Sequence, residues 1–260
     1  MDFAIIAAGE GSRLVQEGVT TPKPLINIHG IPLIERLIGI FLRNEASSIS
    51  VIVNEEMKEV QDFLKRIRPA IPFHIHVKST PSSMHSFYEL SRYLKNDRFC
   101  LTTVDPIFRE EEFKGYIQAF RQSDKIDGLM AVTDFVDDES PLYVKTDRDW
   151  RILGFGSPPP PRIDENGLED SIINSSQEGK SENDDGYTYV SGGIYCLRRS
   201  AIHVLENAVA EGVARMRNYQ RQLVAEGLIL KAYPFSKIID LDHADDVRKA
   251  ENFLTTSYFL

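Results

Sequence analysis

Hydrophobic positions along the 260-residue chain fall into two kinds of run, continuous apolar stretches and stretches recurring every three or four residues, and these predict strands and helices in turn. Residues 3–8 are unbroken apolar sequence ending at Gly9, as expected of a parallel strand covered on both faces. Pro32 opens a helix whose stripe is Leu33, Ile34, Leu37, Ile38 and Phe41, with Asn44 at its end. Residues 49–53 read as the next strand. Met57, Val60, Phe63, Leu64 and Ile67 then form an amphipathic helix ended by Pro69, and 73–77 is a third strand. A helix over 82–94, a strand over 99–104, a helix over 113–120 and a strand over 128–132 continue the series. Beyond 189–197, a further strand, the pattern gives a helical region over 200–225, a short strand at 230–234 and a last helix opening near Asp242. This βαβα order predicts an α/β fold, doubly wound around a mainly parallel sheet.

The pattern lapses after Trp150. Ser157 is followed by four prolines and then by a polar, acidic stretch with too little apolar surface to offset its ordering entropy. A flexible polar loop over 157–186, set within a single domain of residues 1–260, is the expectation. The apolar runs are all far shorter than the ~20 residues of a membrane helix, so no membrane span is predicted. With 30 Lys and Arg against 39 Asp and Glu, the net charge of −9 repels nucleic-acid phosphates and anionic lipid, which excludes both as expected partners. Asp2 stands where a secretory signal carries a basic residue, and the two cysteines, Cys100 and Cys196, sit in strand-like runs with no zinc-ligand spacing around them. Buried thiols in a cytoplasmic protein follow. His74 and His76 share one face of a strand, but the sequence places no third ligand beside them, so they read as a polar strand face.

Candidate chemistry begins where the first strand ends, at Ala7-Ala8-Gly9-Glu10-Gly11-Ser12-Arg13-Leu14. Paired glycines at such a turn let backbone N–H groups approach phosphate oxygens closely. Leu14 occupies the position of the third glycine of a dinucleotide fingerprint, and the Gly-Lys-Ser/Thr ending of an ATPase phosphate loop is absent. Two cations take its place: Arg13, and Lys23 held between prolines in Thr21-Pro22-Lys23-Pro24-Leu25. Chemistry at a bound phosphate relies on positioning and charge neutralisation by a divalent metal, which directs attention to carboxylates at strand ends. Asp105, just beyond the 99–104 strand, is the first of these.

The segment Ala7-Ala8-Gly9-x-Gly11-x-Arg13-Leu14, followed by Pro22-Lys23-Pro24-Leu25 and Ile28-x-Gly30-x-Pro32-Leu33-Ile34, resembles the N-terminal signature of the nucleotidyltransferases that make nucleoside-diphosphate sugars. The resemblance is strong over residues 3–54 and looser across the rest. It implies a Rossmann-like, GT-A-like fold that binds nucleotide through Ala7, Ala8, Gly9, Gly11, Ser12, Thr80 and Ser82, with Arg13 and Lys23 as catalytic cations. It also implies a Mg2+ cofactor on Asp105 and Asp240, and an acceptor packed on Gly192 and Gly193. Ser82 serves equally well as a helix cap, and the glycine pair as a strand bulge. Asp242 reads as the N-cap of the last helix, with Asp245 and Asp246 favouring its positive end. One departure stands out: the family's Glu-Lys-Pro lysine, which grips the acceptor phosphate, is replaced by Gly154-Phe155-Gly156-Ser157-Pro158, leaving Lys145 or Lys180 as substitutes. The expected reaction is transfer of a nucleotidyl group from a nucleoside triphosphate to a phosphorylated small molecule, a sugar 1-phosphate first, with release of pyrophosphate. Cytidylyl transfer to phosphocholine or another alcohol phosphate is the alternative, and a catalytically inactive nucleotide-binding regulatory module the second. Whether the chain forms a homo-oligomer is left open.

Overall fold

The computed structural model describes residues 1–157 and 189–255. All but the first residue of the 157–186 stretch, Lys180 included, therefore lies outside the described residues. In chain order the elements are β1 (Asp2–Ala7), α1 (Ser12–Gln16), a 3-10 turn (Lys23–Leu25), β2 (Asn27–Ile28), β3 (Ile31–Pro32), α2 (Leu33–Arg43), β4 (Ser48–Val53), α3 (Lys58–Leu64) and β5 (Phe73–Val77). Next come α4 (Ser83–Ser91), β6 (Arg98–Thr103), β7 (Pro106–Ile107), α5 (Glu110–Gln122), β8 (Gly128–Thr133), β9 (Tyr143–Thr146) and β10 (Ile152–Gly156). The remainder is β11 (Tyr189–Arg198), α6 (Ser200–Ala210), α7 (Met216–Ala225), β12 (Leu230–Pro234), β13 (Ile239–Asp240) and α8 (Ala244–Thr255).

Period-two alternation in β1 builds both cores. Phe3, Ile5 and Ala7 join the cluster containing Phe41 of α2 and Phe113 of α5, whereas Ala4 and Ile6 join Phe87 of α4 and Tyr219 of α7 on the opposite face. Aromatic rings fill the space: Phe3 and Phe41 lie 4.5 Å apart between centroids, and Phe87 lies 5.8 Å from Phe99 and from Tyr219. Strands β5, β4, β1 and β6 are parallel neighbours in that order. The long β11 runs antiparallel between β6 and β8, and β12 lies parallel to β8. The chain lays β4 and β5 to one side of β1 and then crosses to place β6 on the other. That reversal opens a crevice at the carboxyl ends of β1 and β6.

Several local readings change. The 200–225 region is two helices, α6 and α7. β9 escapes the hydrophobic pattern because Val144 is its sole fully buried side chain. Asp2 proves structural: its carboxylate accepts hydrogen bonds from Ser48 Oγ at 2.8 Å, the Lys95 and Asn96 backbone N–H groups at 2.6 and 2.8 Å, and Asn96 Nδ2 at 2.6 Å. Those bonds tie the start of β1 to β4 and to the turn before β6. Cys100 and Cys196 are buried, free thiols facing each other across the β6–β11 ladder. His74 stacks on Tyr93 at 5.0 Å, and His76 Nδ1 lies 3.2 Å from the Tyr93 hydroxyl.

Candidate active site

At the end of β1 the chain turns through residues 8–11 into α1. Gly11 adopts φ 63°, and a Cβ there would stand 3.4 Å from Lys23 Cβ, so glycine lets the loop pack directly on the lysine. The flanking Pro22 and Pro24 set the 3-10 turn that presents Lys23. Its side chain is 7% exposed, and Nζ donates to Asp105 Oδ2 and to Asp242 Oδ1, each at 2.6 Å. Burial would pull the ammonium's pKa down, but the two carboxylates push it well above the ordinary lysine value, so the charge is permanent.

Asp105 follows β6 directly. Burial pushes its carboxyl up, yet Lys23 prevails and holds it below the usual carboxylate range. Its second oxygen, Oδ1, is buried and accepts no hydrogen bond. Asp240 is delivered by β13, which pairs with β7 so that Asp240 opposes Pro106, the residue after Asp105. Burial, reinforced by the charges of Asp105 and Asp242, drives the Asp240 carboxyl well above its ordinary value. Lys23 therefore faces two carboxylates at 2.6 Å, and Arg13 shares Asp242 with it.

Asp242 is not the N-cap the sequence suggests. Its side chain turns to Lys23 and to Arg13, whose Nη1 donates to Asp242 Oδ2 at 2.8 Å. The amides at the start of α8 are taken by other acids: Asp246 Oδ2 accepts from the Asp242 and His243 N–H groups at 3.1 and 2.8 Å, and Glu17 Oε2 accepts from Ala244 N–H at 2.7 Å. The physical reason is competition. A buried ammonium and a guanidinium attract a carboxylate more strongly than a neutral amide does.

Two clefts meet here. The larger encloses about 1420 Å³ and is lined by Ala8, Gly9, Gly11 and Ser12, by Arg13, Lys23 and Asp105, and by Thr80 and Ser82. Asn54, unremarked in the sequence, lines it too. Ala7 does not: its side chain is 1% exposed and belongs to the core. Ser82 also caps α4, with Oγ accepting from His85 N–H at 3.5 Å, and Thr80 Oγ1 lies 2.6 Å from Ser86 Oγ. The smaller cleft is narrow, is lined by Gly192 and Asp240, and shares Arg13 and Asp242 with the larger one. The glycine pair coincides with a register shift of β11 against β8. A Cβ on Gly192 would come within 2.2 Å of Ile238 Cδ1, while Gly193, at φ 70°, packs beneath Thr103 at the end of β6.

Asp105 and Asp242 each aim one oxygen at the position Lys23 Nζ fills, and among the described residues no group of three or more acidic, His or Cys side chains is placed to hold a metal ion. An oxygen-only set with one or two carboxylates, leaving the remaining positions to phosphates and water, suits magnesium. No described helix is long and apolar enough to cross a membrane.

Known proteins share this arrangement of strands. The solved structure of the inositol-1-phosphate CTP transferase from T. maritima superimposes with a TM-score of 0.71 at 16% identity, covering 97% of each chain. A Bacillus anthracis structure described as a candidate glucose-1-phosphate thymidylyltransferase gives a TM-score of 0.75 at 18% identity, covering 97% of this chain and 94% of that one. At these identities the likeness establishes the fold. In sequence, the bifunctional protein GlmU of Methanococcus maripaludis (strain C7) is 24% identical over 254 residues, an alignment covering 97% of this chain and 54% of GlmU. The chain thus spans about half the length of that relative. Residues 3–222 match the MobA-like NTP transferase domain, and with the glycine loop, Lys23 and Asp105 all inside that span, the chain belongs to this nucleotidyltransferase family.

Proposed function

We propose that the chain catalyses magnesium-dependent transfer of a nucleotidyl group from a nucleoside triphosphate to a phosphorylated small molecule, a sugar 1-phosphate first among them, releasing pyrophosphate. The observation that carries this reading is the convergence of Lys23 and Arg13 with Asp105 and Asp242 at the strand-order reversal. An ionised oxygen of the acceptor phosphate forms the new bond to the α-phosphorus while the α–β phosphoanhydride bond breaks, and the electron pair leaves with pyrophosphate. No side chain has to remove a proton. Lys23 neutralises charge growing at the α-phosphate, and Arg13 with the 8–11 backbone amides holds the departing β,γ-phosphates. Asp105, with its unpartnered Oδ1, and Asp242 would hold magnesium, with Asp240 on the neighbouring β13 strand as a further candidate oxygen. That ion, when bound, supplies further neutralisation of the phosphates.

The test is pyrophosphate release by the purified chain over a panel of triphosphates and acceptors. Release that needs both acceptor and magnesium, and that vanishes in Lys23→Ala and Asp105→Asn, is expected. A triphosphate that binds without any turnover would favour the regulatory-module reading instead.

A second reading has one observation in its favour. Asp138 and Asp240 line the smaller cleft, whose lining among the described residues includes no lysine, and the family's phosphate-gripping lysine is absent from 154–158. A doubly anionic sugar phosphate meets Arg13 there but also Asp137, Asp138 and Asp240, whereas an acceptor with an ammonium at its far end, such as phosphocholine, would meet complementary carboxylates. Preference for amine-bearing acceptors over sugar 1-phosphates in the same panel would select this reading.

A further inference from the structure

Arg13 stands in the wall common to both clefts, and each of its terminal nitrogens is engaged by a different carboxylate. Nη1 donates to Asp242, while Nη2 lies 3.3 Å from Glu139 Oε2. Glu139 belongs to the 134–142 segment, which joins β8 to β9 and crosses the smaller cleft, contributing Phe135, Val136, Asp137 and Pro141 to its lining. Charge ties this strap down at two places. Glu139 reaches Arg13 and, at 3.8 Å, His243 Nε2, and Asp137 Oδ2 accepts from Lys249 Nζ at 2.8 Å. Phe135 anchors the start of the strap against the core beneath Lys237, whereas the next residue, Val136, is 43% exposed.

We propose that Glu139 acts as a stand-in for the triphosphate on Arg13, a latch that keeps the strap over the smaller cleft until a nucleotide takes the guanidinium. The inference rests on the reading of Arg13 as a phosphate ligand. A guanidinium has a fixed fork of donors, so phosphate oxygens and the Glu139 carboxylate compete for the same nitrogen. The contest is unequal. Glu139 is 65% exposed and its pair is long, the kind of ion pair that contributes least, whereas a triphosphate brings several charges at once. Once Arg13 is taken, the strap keeps its ties through Asp137, through Ser140 O, which accepts from Arg217 Nη2 at 3.2 Å, and through the bond from Ser191 N–H to Leu142 O at 2.9 Å, and the 137–139 stretch between them is released from Arg13. Filling the larger cleft thereby opens the smaller one to the acceptor.

The latch makes a prediction opposite in sign to ordinary damage: Glu139→Gln, which removes the competitor, binds triphosphate more tightly than the native chain. An increase of about two- to fivefold is expected from the usual strength of an exposed ion pair. Asp137→Asn, which loosens the strap but leaves Glu139 charged against Arg13, raises triphosphate affinity less than Glu139→Gln does. Both are measured by calorimetric titration of the full chain with CTP, UTP, GTP, ATP and dTTP in magnesium, alongside hydrogen exchange of the 134–142 amides. The native strap exchanges faster when triphosphate is bound, and the Glu139→Gln strap exchanges fast with or without it. Equal or weaker triphosphate binding by Glu139→Gln, or a native strap indifferent to a triphosphate that does bind, overturns the latch alone. Failure of all five triphosphates to bind the native chain overturns the phosphate-ligand reading of Arg13, and the latch with it.

Discussion

An ammonium 93% removed from solvent keeps its proton only where carboxylates compensate it, and Lys23 has two of them at 2.6 Å. Removing it does two separable things. Turnover in Lys23→Ala falls by about a hundredfold or more, as for loss of a charge-stabilising donor, read as pyrophosphate release. Folding stability falls as well, by about 1–3 kcal/mol, because Asp105 loses its counter-ion and Asp242 is left with Arg13 alone. Magnesium should restore part of that stability and raise the melting temperature of Lys23→Ala more than that of the native chain at matched ionic strength. An equal magnesium response in both proteins would mean that the two carboxylates do not share a cation.

Among the elements, β1 and β11 carry the tightest constraints. Asp2 anchors β1 through four hydrogen bonds; burial works against its charge, but the donors from Asn96, Ser48 and Lys95 win and hold its pKa below the ordinary carboxylate value. A group with a lowered folded pKa stabilises above its unfolded value, and that contribution is lost as pH falls through the folded one. Asp2→Ala is therefore expected to cost about 1.5–3 kcal/mol at pH 7, with the gap to the native chain closing below about pH 4, as urea unfolding at a series of pH values would show. In β11, a methyl on Gly192 meets Ile238 Cδ1 two residues before Asp240. Gly192→Ala should destabilise by about 1–3 kcal/mol through overpacking. Adding Ile238→Val, which deletes Cδ1, should recover most of the loss, and an additive double variant would refute the clash.

For the whole molecule, a net charge of −9 would seem a poor match for a polyanionic ligand. The crevice resolves this locally by gathering Lys23 and Arg13 at the one place where the strand order reverses. A triphosphate that binds the folded chain must stabilise it, by about 2.7 kcal/mol at a hundred times its Kd. Thermal melts with each triphosphate and magnesium should pick out the preferred base as an upward shift, shrinking at high salt as the exposed charges are screened. No shift with any triphosphate would remove the basis for the proposed reaction.

The doubly wound α/β order, the glycine loop, the proline-held lysine and Asp105 were all legible along the chain, because each is a local event: an apolar period, a turn, a strand end. What only the tertiary structure decided is which distant groups meet. Asp242 lies 219 residues from Lys23, and it left its place at the head of α8 because a buried cation outbids a backbone amide, while Ala7, inside the nucleotide signature by sequence, went to the core because β1 alternates its faces. The meeting of Glu139 with Arg13 depends likewise on where β8, β11 and α8 pack. Periodicity specifies a residue's side of its own strand or helix; the partner it finds across the molecule is set by packing and by the cost of leaving charge uncompensated away from water.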